Sequence, residues 1–145
     1  MLDGRYPMSV DAKLRVTQPS TMRKEFDKTI KLLPFKDSVY GFTPEALDSW
    51  FELVFEKRGG YDPSKSSDAS LMLVLRSRVT TVELDSAGRI ALGKLDVNEA
   101  GTCEKLGLTG DVSIVGNGDH FEIWNAEAWA QKMADVDLDS LFFHD

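Results

Sequence analysis

Cysteine occurs once, histidine twice and proline five times among the 145 residues, and no apolar run approaches the ~18 residues of a membrane span. A lone cysteine, Cys103, excludes an internal disulfide and fits a reducing cytoplasm. Two histidines and one cysteine without ligand spacing give no metal site. The N-terminal stretch Met1–Lys13 has no apolar core after a basic start, so no signal peptide is expected. Hydrophobic residues make up 42% of the chain, too many for a disordered tail. The length suits one globular domain, or two small units sharing a core.

Positive charge is also scarce overall, with 17 Lys and Arg against 24 Asp and Glu and a formal net charge of −7. That argues against coating nucleic acid by bulk charge and leaves room for a local basic patch. The distribution is uneven. Residues 1–36 carry eight basic side chains against four acids, whereas residues 75–145 carry six against thirteen. A basic N-terminal face and an acidic C-terminal end, closing with Asp135, Asp137, Asp139 and Asp145, follow from this. The plainest reading of the tail is a solubilising one.

What the sequence does contain is an internal repeat. Val10–Val16 matches Leu84–Ile90 at an offset of 74, and in both copies an Asp (Asp11, Asp85) precedes an Arg (Arg15, Arg89) by four positions. Tyr6, Met8, Val10, Leu14 and Val16 share one parity, as do Val82, Leu84, Ile90 and Leu92. Each copy therefore reads as two short strands joined by a turn, with Asp and Arg opposite the apolar face. Gly88 supplies a residue tolerant of positive φ in the second turn, where the first has Leu14.

The copies continue beyond the turn. Pro19–Phe26 predicts a short helix opened by proline. Val39–Phe42 predicts a strand followed by a helix with Thr43 as N-cap and Pro44 in its first turn. Phe121–Trp124 and the helix capped at Asn125 repeat that arrangement at an offset of 82, a gain of eight residues. Part of the gain is placed in Val112–Val115 and the hairpin loop Gly116–His120. Between the copies, Leu47, Trp50, Phe51, Val54 and Phe55 recur at helical spacing up to Arg58-Gly59-Gly60. The apolar run Leu71–Leu75 suits a helix packing back on that one, though a buried strand would carry it too. Trp50, Trp124 and Trp129 read as core or subunit-interface residues rather than a base-stacking platform.

No enzymatic constellation stands out. Cys103 with His120 or His144 lacks a nucleophile motif, and Gly116-x-Gly118 is explained by a hairpin turn rather than a phosphate loop. No catalytic, cofactor-binding or metal-ligating residue is assigned, and no cofactor is expected.

The two Asp-x-x-x-Arg turns, together with Val112–Trp129 closing the second copy, resemble the MraZ family of bacterial transcriptional regulators, built from two tandem SpoVT-AbrB domains. The resemblance runs from Gly4 to Trp129. It implies an α+β, mainly β fold, a swapped-hairpin barrel formed by the two repeats, with helices. It places one SpoVT-AbrB domain at residues 5–49, a helical connection at 50–78, a second domain at 79–127, and a C-terminal helix and acidic tail at 128–145. It further implies a ring-like homo-oligomer that binds short direct repeats in double-stranded promoter DNA. As a cytoplasmic, nucleoid-associated protein, such a regulator would repress its own division and cell-wall gene cluster. The implied DNA contacts are Arg15, Lys13 and Arg89, with Asp11, Asp85 and Gly88 supporting the turns. Leu14, Gly93 and His120 depart from the family's usual Gly, Pro and basic residue, and the helix after Gly93 lacks the usual arginine. The second half is accordingly expected to bind DNA weakly or to serve fold and assembly. An oligomeric protein-interaction scaffold of the same fold, docking through the apolar tail residues Leu138, Leu141, Phe142 and Phe143, is the alternative.

Overall fold

A computed structural model describes residues 1–144; Asp145, the last acid of the tail, and the side chain of His144 lie outside the described residues. The first copy runs β1 (Arg5–Ser9), β2 (Arg15–Thr17), α1 (Ser20–Arg23), β3 (Thr29–Phe35), β4 (Ser38–Phe42) and α2 (Pro44–Glu56). Helix α3 (Ser66–Ser77) leads to the second copy. That copy comprises β5 (Thr80–Glu83), β6 (Arg89–Ala91), α4 (Gly93–Asn98), α5 (Thr102–Lys105), β7 (Asp111–Gly116), β8 (Phe121–Asn125) and α6 (Ala126–Asp135), and α7 (Leu138–His144) follows. The fold is α+β and mainly β. Among the described residues no helix is long and apolar enough to cross a membrane.

Six strands form one antiparallel sheet in the order β1-β7-β8-β4-β3-β5, and β2 pairs with β6 in a separate ribbon. The strands flanking each turn pair with the other copy instead of with each other: β1 lies on β7, and β5 on β3. The two strands joined by each turn thus do not pair as a hairpin of their own. Each turn sends its two strands into different sheets, so their ladder hydrogen bonds are satisfied across the repeat.

The registers obey an internal two-fold relation. Met8 pairs with Val112 as Val82 pairs with Ile30. Val16 and Ile90, and likewise Tyr40 and Glu122, are counterparts in the two copies that face each other directly. The 82-residue offset already holds at β3 and β7, and the loops of both β-hairpins are equal in length, residues 36–37 between Phe35 and Ser38 matching 118–119. The extra residues therefore lie in neither Val112–Val115 nor the loop at Gly116–His120, where the sequence placed part of them. They fall earlier: residues 18–28 join β2 to β3, whereas 92–110 join β6 to β7, eleven residues against nineteen. The longer connection holds two helices, α4 and α5, where the first copy has α1.

Alternation along the strands builds the main core. Ile30, Leu32, Val39, Val112, Ile114, Phe121 and Ile123 point to one face of the sheet and meet Val16, Ile90, Leu92, Leu95 and Leu108 beneath it. The other face of β3 and β4 presents Leu33 and Phe42 to Leu47 and Phe51 of α2 and Leu75 of α3. Leu71–Leu75 is thus helical and packs back on α2, as expected. The two helices entering after β4 and β8 are capped alike: the Thr43 Oγ1 accepts from the Ala46 N–H (3.1 Å), and the Asn125 Oδ1 from the Ala128 N–H (2.9 Å). Pro19 stands just before α1 rather than inside it.

Candidate nucleic-acid interface

The two turns are built by their aspartates. The Asp11 Oδ1 accepts from the backbone N–H of Lys13 (3.0 Å) and of Arg15 (2.8 Å), and its Oδ2 accepts from the Arg15 Nε (2.8 Å). The Asp85 Oδ1 accepts from the N–H of Ala87 and Arg89 (both 2.9 Å), and its Oδ2 from the Arg89 Nε (2.7 Å). Backbone N–H groups of Arg15 and Arg89 are the main cause holding both carboxyls below the usual carboxylate range; desolvation opposes the shift, and the guanidinium bonds add to it. Both carboxylates are thus charged at neutral pH. An exposed ion pair contributes little stability. Its consequence here is geometric: Nε is committed, the guanidinium plane is fixed, and among the described residues neither Arg15 nor Arg89 spends an Nη group on a protein acceptor.

Each turn closes through a residue with positive φ, Leu14 at 58° and Gly88 at 73°. The left-handed conformation costs a non-glycine residue ~1–2 kcal/mol. Leu14 packs against the main core, which offsets that cost. The turns are also tied across the repeat: Gln18 N–H donates to Gly88 O (2.9 Å), and Leu92 N–H donates to Leu14 O (2.8 Å).

In the β2–β6 ribbon Arg15 pairs with Ala91 and Thr17 with Arg89, on either side of Val16 and Ile90. Val16 and Ile90 face the core, so both arginines project from the opposite, outer face. The ribbon therefore presents two guanidiniums diagonally across one outer surface, with Lys13 exposed on the first turn. The predicted residues Lys13, Arg15 and Arg89, with Asp11, Asp85 and Gly88, are gathered into one cross-repeat unit.

Aligned with the transcriptional regulator MraZ of Spiroplasma kunkelii, 128 residues are 32% identical, covering 87% of this chain and 82% of that protein. The chain belongs to the MraZ family. Similarity extends to MraZ of Caldicellulosiruptor saccharolyticus, 32% identical over 140 residues and covering 95% and 90% of the two chains. MraZ of Rhizobium meliloti is 30% identical over 134 residues, covering 88% and 84%. No family model matches the chain. These MraZ relatives are named as regulators, a non-enzymatic class, and the chain is read with them as a non-enzyme.

In this MraZ member His120 is buried, with 5% of its surface exposed, so it adds no cation to the outer ribbon. It belongs to a polar cluster on the far face of the sheet that sequence reading missed. Its Nε2 lies 2.9 Å from Glu122 Oε2, its Nδ1 2.6 Å from Asp119 Oδ1, and its ring stacks on Tyr40 at 4.2 Å. Glu122 also accepts from Trp124 Nε1 (3.0 Å) and Asn117 Nδ2 (2.9 Å). Burial works to raise the Glu122 pKa, yet the bonds from His120, Asn117 and Trp124 hold it down at about 2. Burial opposes charge on His120, but the bonds to Glu122 and Asp119 prevail and raise its pKa. Burial, then the Glu122 charge, pushes Tyr40 up to about 12. The signal was present: His120, Glu122 and Trp124 alternate with the core residues Phe121 and Ile123 along one strand.

Cys103 is buried and its Sγ donates to Leu92 O (3.2 Å); burial and then the Asp96 carboxylate push its thiol up to about 12. Such a thiol is a packing residue, not a nucleophile. Trp124 is buried, while Trp50 and Trp129 are half-buried against Phe35, Tyr40 and Trp124.

Proposed function

We propose that the chain is a sequence-specific, double-stranded DNA-binding transcriptional regulator. On this reading it binds short direct repeats at the promoter of its own division and cell-wall gene cluster and represses initiation there. The observation that carries the reading is the doubled Asp-x-x-x-Arg turn, each arginine fixed by its aspartate with Nη groups turned to solvent. A two-stranded ribbon fits the major groove, where a guanidinium bonds guanine O6 and N7 for roughly 1–3 kcal/mol of discrimination. Arg15, Lys13 and Arg89 make the contacts; Asp11, Asp85 and Gly88 hold the turns.

The strand exchange of β1 onto β7 and β5 onto β3 supports a swapped-hairpin barrel made by two SpoVT-AbrB units, residues 5–49 and 79–127. Residues 50–78 connect them, and 128–145 form a C-terminal helix and acidic tail. A net charge of −7 is compatible with DNA binding when the same basic ribbon is displayed many times by a ring-like homo-oligomer. Linked sites on repeated DNA gain ~10²–10⁴ in avidity without new contacts. The protein would act in the cytoplasm, on the nucleoid.

Fluorescence anisotropy on DNA from upstream of its own gene, at two salt concentrations beside a scrambled control, tests this. Repeat-dependent binding that weakens with salt supports the regulator. Equal, feeble binding to both DNAs supports the protein-interaction scaffold instead.

A further inference from the structure

The internal two-fold breaks down at one place on the sheet face that carries α2 and α6. Residues 29–53 and 111–135 correspond at an offset of 82 without a gap, since the β3–β4 and β7–β8 pairs match and the helix caps coincide. In the first copy the Trp50 ring fills the space over this face. Its centre lies 5.4 Å from that of Phe35, 6.2 Å from Tyr40 and 5.6 Å from Phe42. His120 closes the same space from the other copy, 5.1 Å from Phe42. The counterparts of Trp50 and His120 are Lys132 and Ser38. Where the first copy holds an indole and an imidazole, the second keeps an open cavity of about 350 Å³, at the lower end of the range for small-molecule sites.

The walls of this cavity are aromatic. Phe35, Tyr40, Trp124 and Trp129 line it, with the two indoles edge to face at 5.8 Å. Glu122 lies among them, but His120, Asn117 and Trp124 already engage its two oxygens. Two lysines complete the lining. Lys132 Nζ sits 5.6 Å from the Trp124 ring centre and Lys36 Nζ 5.6 Å from that of Phe35. Asp37 is also at the rim, yet among the described residues neither lysine has a carboxylate within ion-pair distance. Lys36 is moreover strained, with a left-handed φ of 57°, where its counterpart Gly118 takes φ 77° freely. Strain of this kind persists where a side chain is used. One lysine thus stands in a glycine's place and the other in a tryptophan's, and both line the same cavity.

We propose that this cavity binds a small planar aromatic molecule carrying a carboxylate or a phosphate. Its ring packs among Tyr40, Trp124 and Trp129, in the volume that Trp50 takes in the first copy, and its anionic group meets Lys36 and Lys132. A lysine is a point charge that suits either anion, without the planar fork that would select one geometry. The site lies on the sheet face away from the β2–β6 ribbon, so it stands independently of the DNA-binding reading.

Titration of the ¹⁵N-labelled protein, followed through the indole N–H signals of its three tryptophans, tests this. Indole-3-acetate serves as the aromatic carboxylate, adenosine monophosphate as the aromatic phosphate, and tryptamine as a cationic control. At least one anionic probe should shift Trp124 and Trp129 saturably with a Kd below about 1 mM, and the stronger of the two identifies the anion. Tryptamine should bind about tenfold more weakly than that probe. Lys36→Gln and Lys132→Gln should each weaken binding by about threefold. Lys132→Trp, which restores the first copy's indole, should abolish binding while the thermal midpoint holds or rises. Tryptamine binding as well as the anionic probes, or undiminished binding to Lys132→Trp, overturns the proposal. So does the lack of a saturable shift with either anionic probe; if dilution of the protein alone then moves the same signals, the cavity is a seat between copies of this chain.

Discussion

Gly41 of β4 faces Phe121 of β8 across the ladder, and a Cβ built on Gly41 would fall on the Phe121 ring, 2.5 Å from Cε1. The counterpart pair in the internal two-fold is Val39 with Ile123, so one side combines a glycine with a phenylalanine and the other two aliphatics of middle size. All three apolar partners are fully buried. Gly41→Ala is expected to destabilise the fold by about 1–3 kcal/mol, because a full core has no room for a methyl group. Adding Phe121→Leu should recover part of that loss. Urea unfolding of both variants checks this, and a neutral Gly41→Ala would refute the close approach.

Gln18 is fully buried, and among the described residues neither its amide N nor its O has a hydrogen-bond partner. Its counterpart is the fully buried Leu92, and both donate a backbone N–H to the opposite turn. Burying an unpaired polar group costs about 1–3 kcal/mol. Gln18→Leu should therefore raise stability by an amount of that order, visible as a thermal midpoint higher by roughly 2–4 °C per kcal/mol. A lower midpoint would show that the amide is satisfied in solution.

The cluster around His120 makes stability depend on pH. The folded His120 pKa lies above 6.5, so its contribution is complete below 6.5 and is lost as pH rises through the folded value. Glu122 is held at about 2 against an ordinary 4.5, so its contribution is complete above 4.5 and is lost as pH falls toward 2. The pair stabilises most between 4.5 and 6.5. The thermal midpoint should fall from pH 6 to pH 8.5, and His120→Gln should flatten that slope. A wild-type midpoint that rises over this range would sink the assignment.

Helix α6 buries none of its residues, and α7 leaves Phe142 and Phe143 76% and 78% exposed. Exposed aromatic side chains of this kind suit the subunit interface of the proposed ring. If the chain assembles into a ring through its C-terminal helices, Phe142→Ser/Phe143→Ser should lower the mass seen by light scattering while the far-UV spectrum stays unchanged. An unaltered mass would assign the assembly to another surface.

Much of the candidate interface was legible because it is local. An aspartate four residues before an arginine, flanked by alternating aliphatics, folds on itself through hydrogen bonds within five residues. Thr43 and Asn125 announced their helices for the same reason. Three features escaped. The eight extra residues were partly assigned to a hairpin that has none of them, because only strand register fixes where the offset changes. His120 was placed in the hairpin loop and read as a departure from a usual basic residue, although it is buried beside β8 on a half-covered face. The seat of Arg23 on Gly88 had no signal, since nothing in the arginine's own helix reveals the glycine beneath it.

The sequence by itself determined the turns, the strand parity, the caps and the two-copy plan, because each rests on neighbours within one or two turns of chain. Which strands pair was decided only by the tertiary structure. β1 and β5 carry the same alternation, so parity alone permits either copy's β3-type strand as partner. Exchange satisfies both edges while bringing Val16 against Ile90 and Arg23 onto Gly88. Contacts between residues some 65–75 positions apart depend on the closure of the whole chain, and no local pattern encodes that closure.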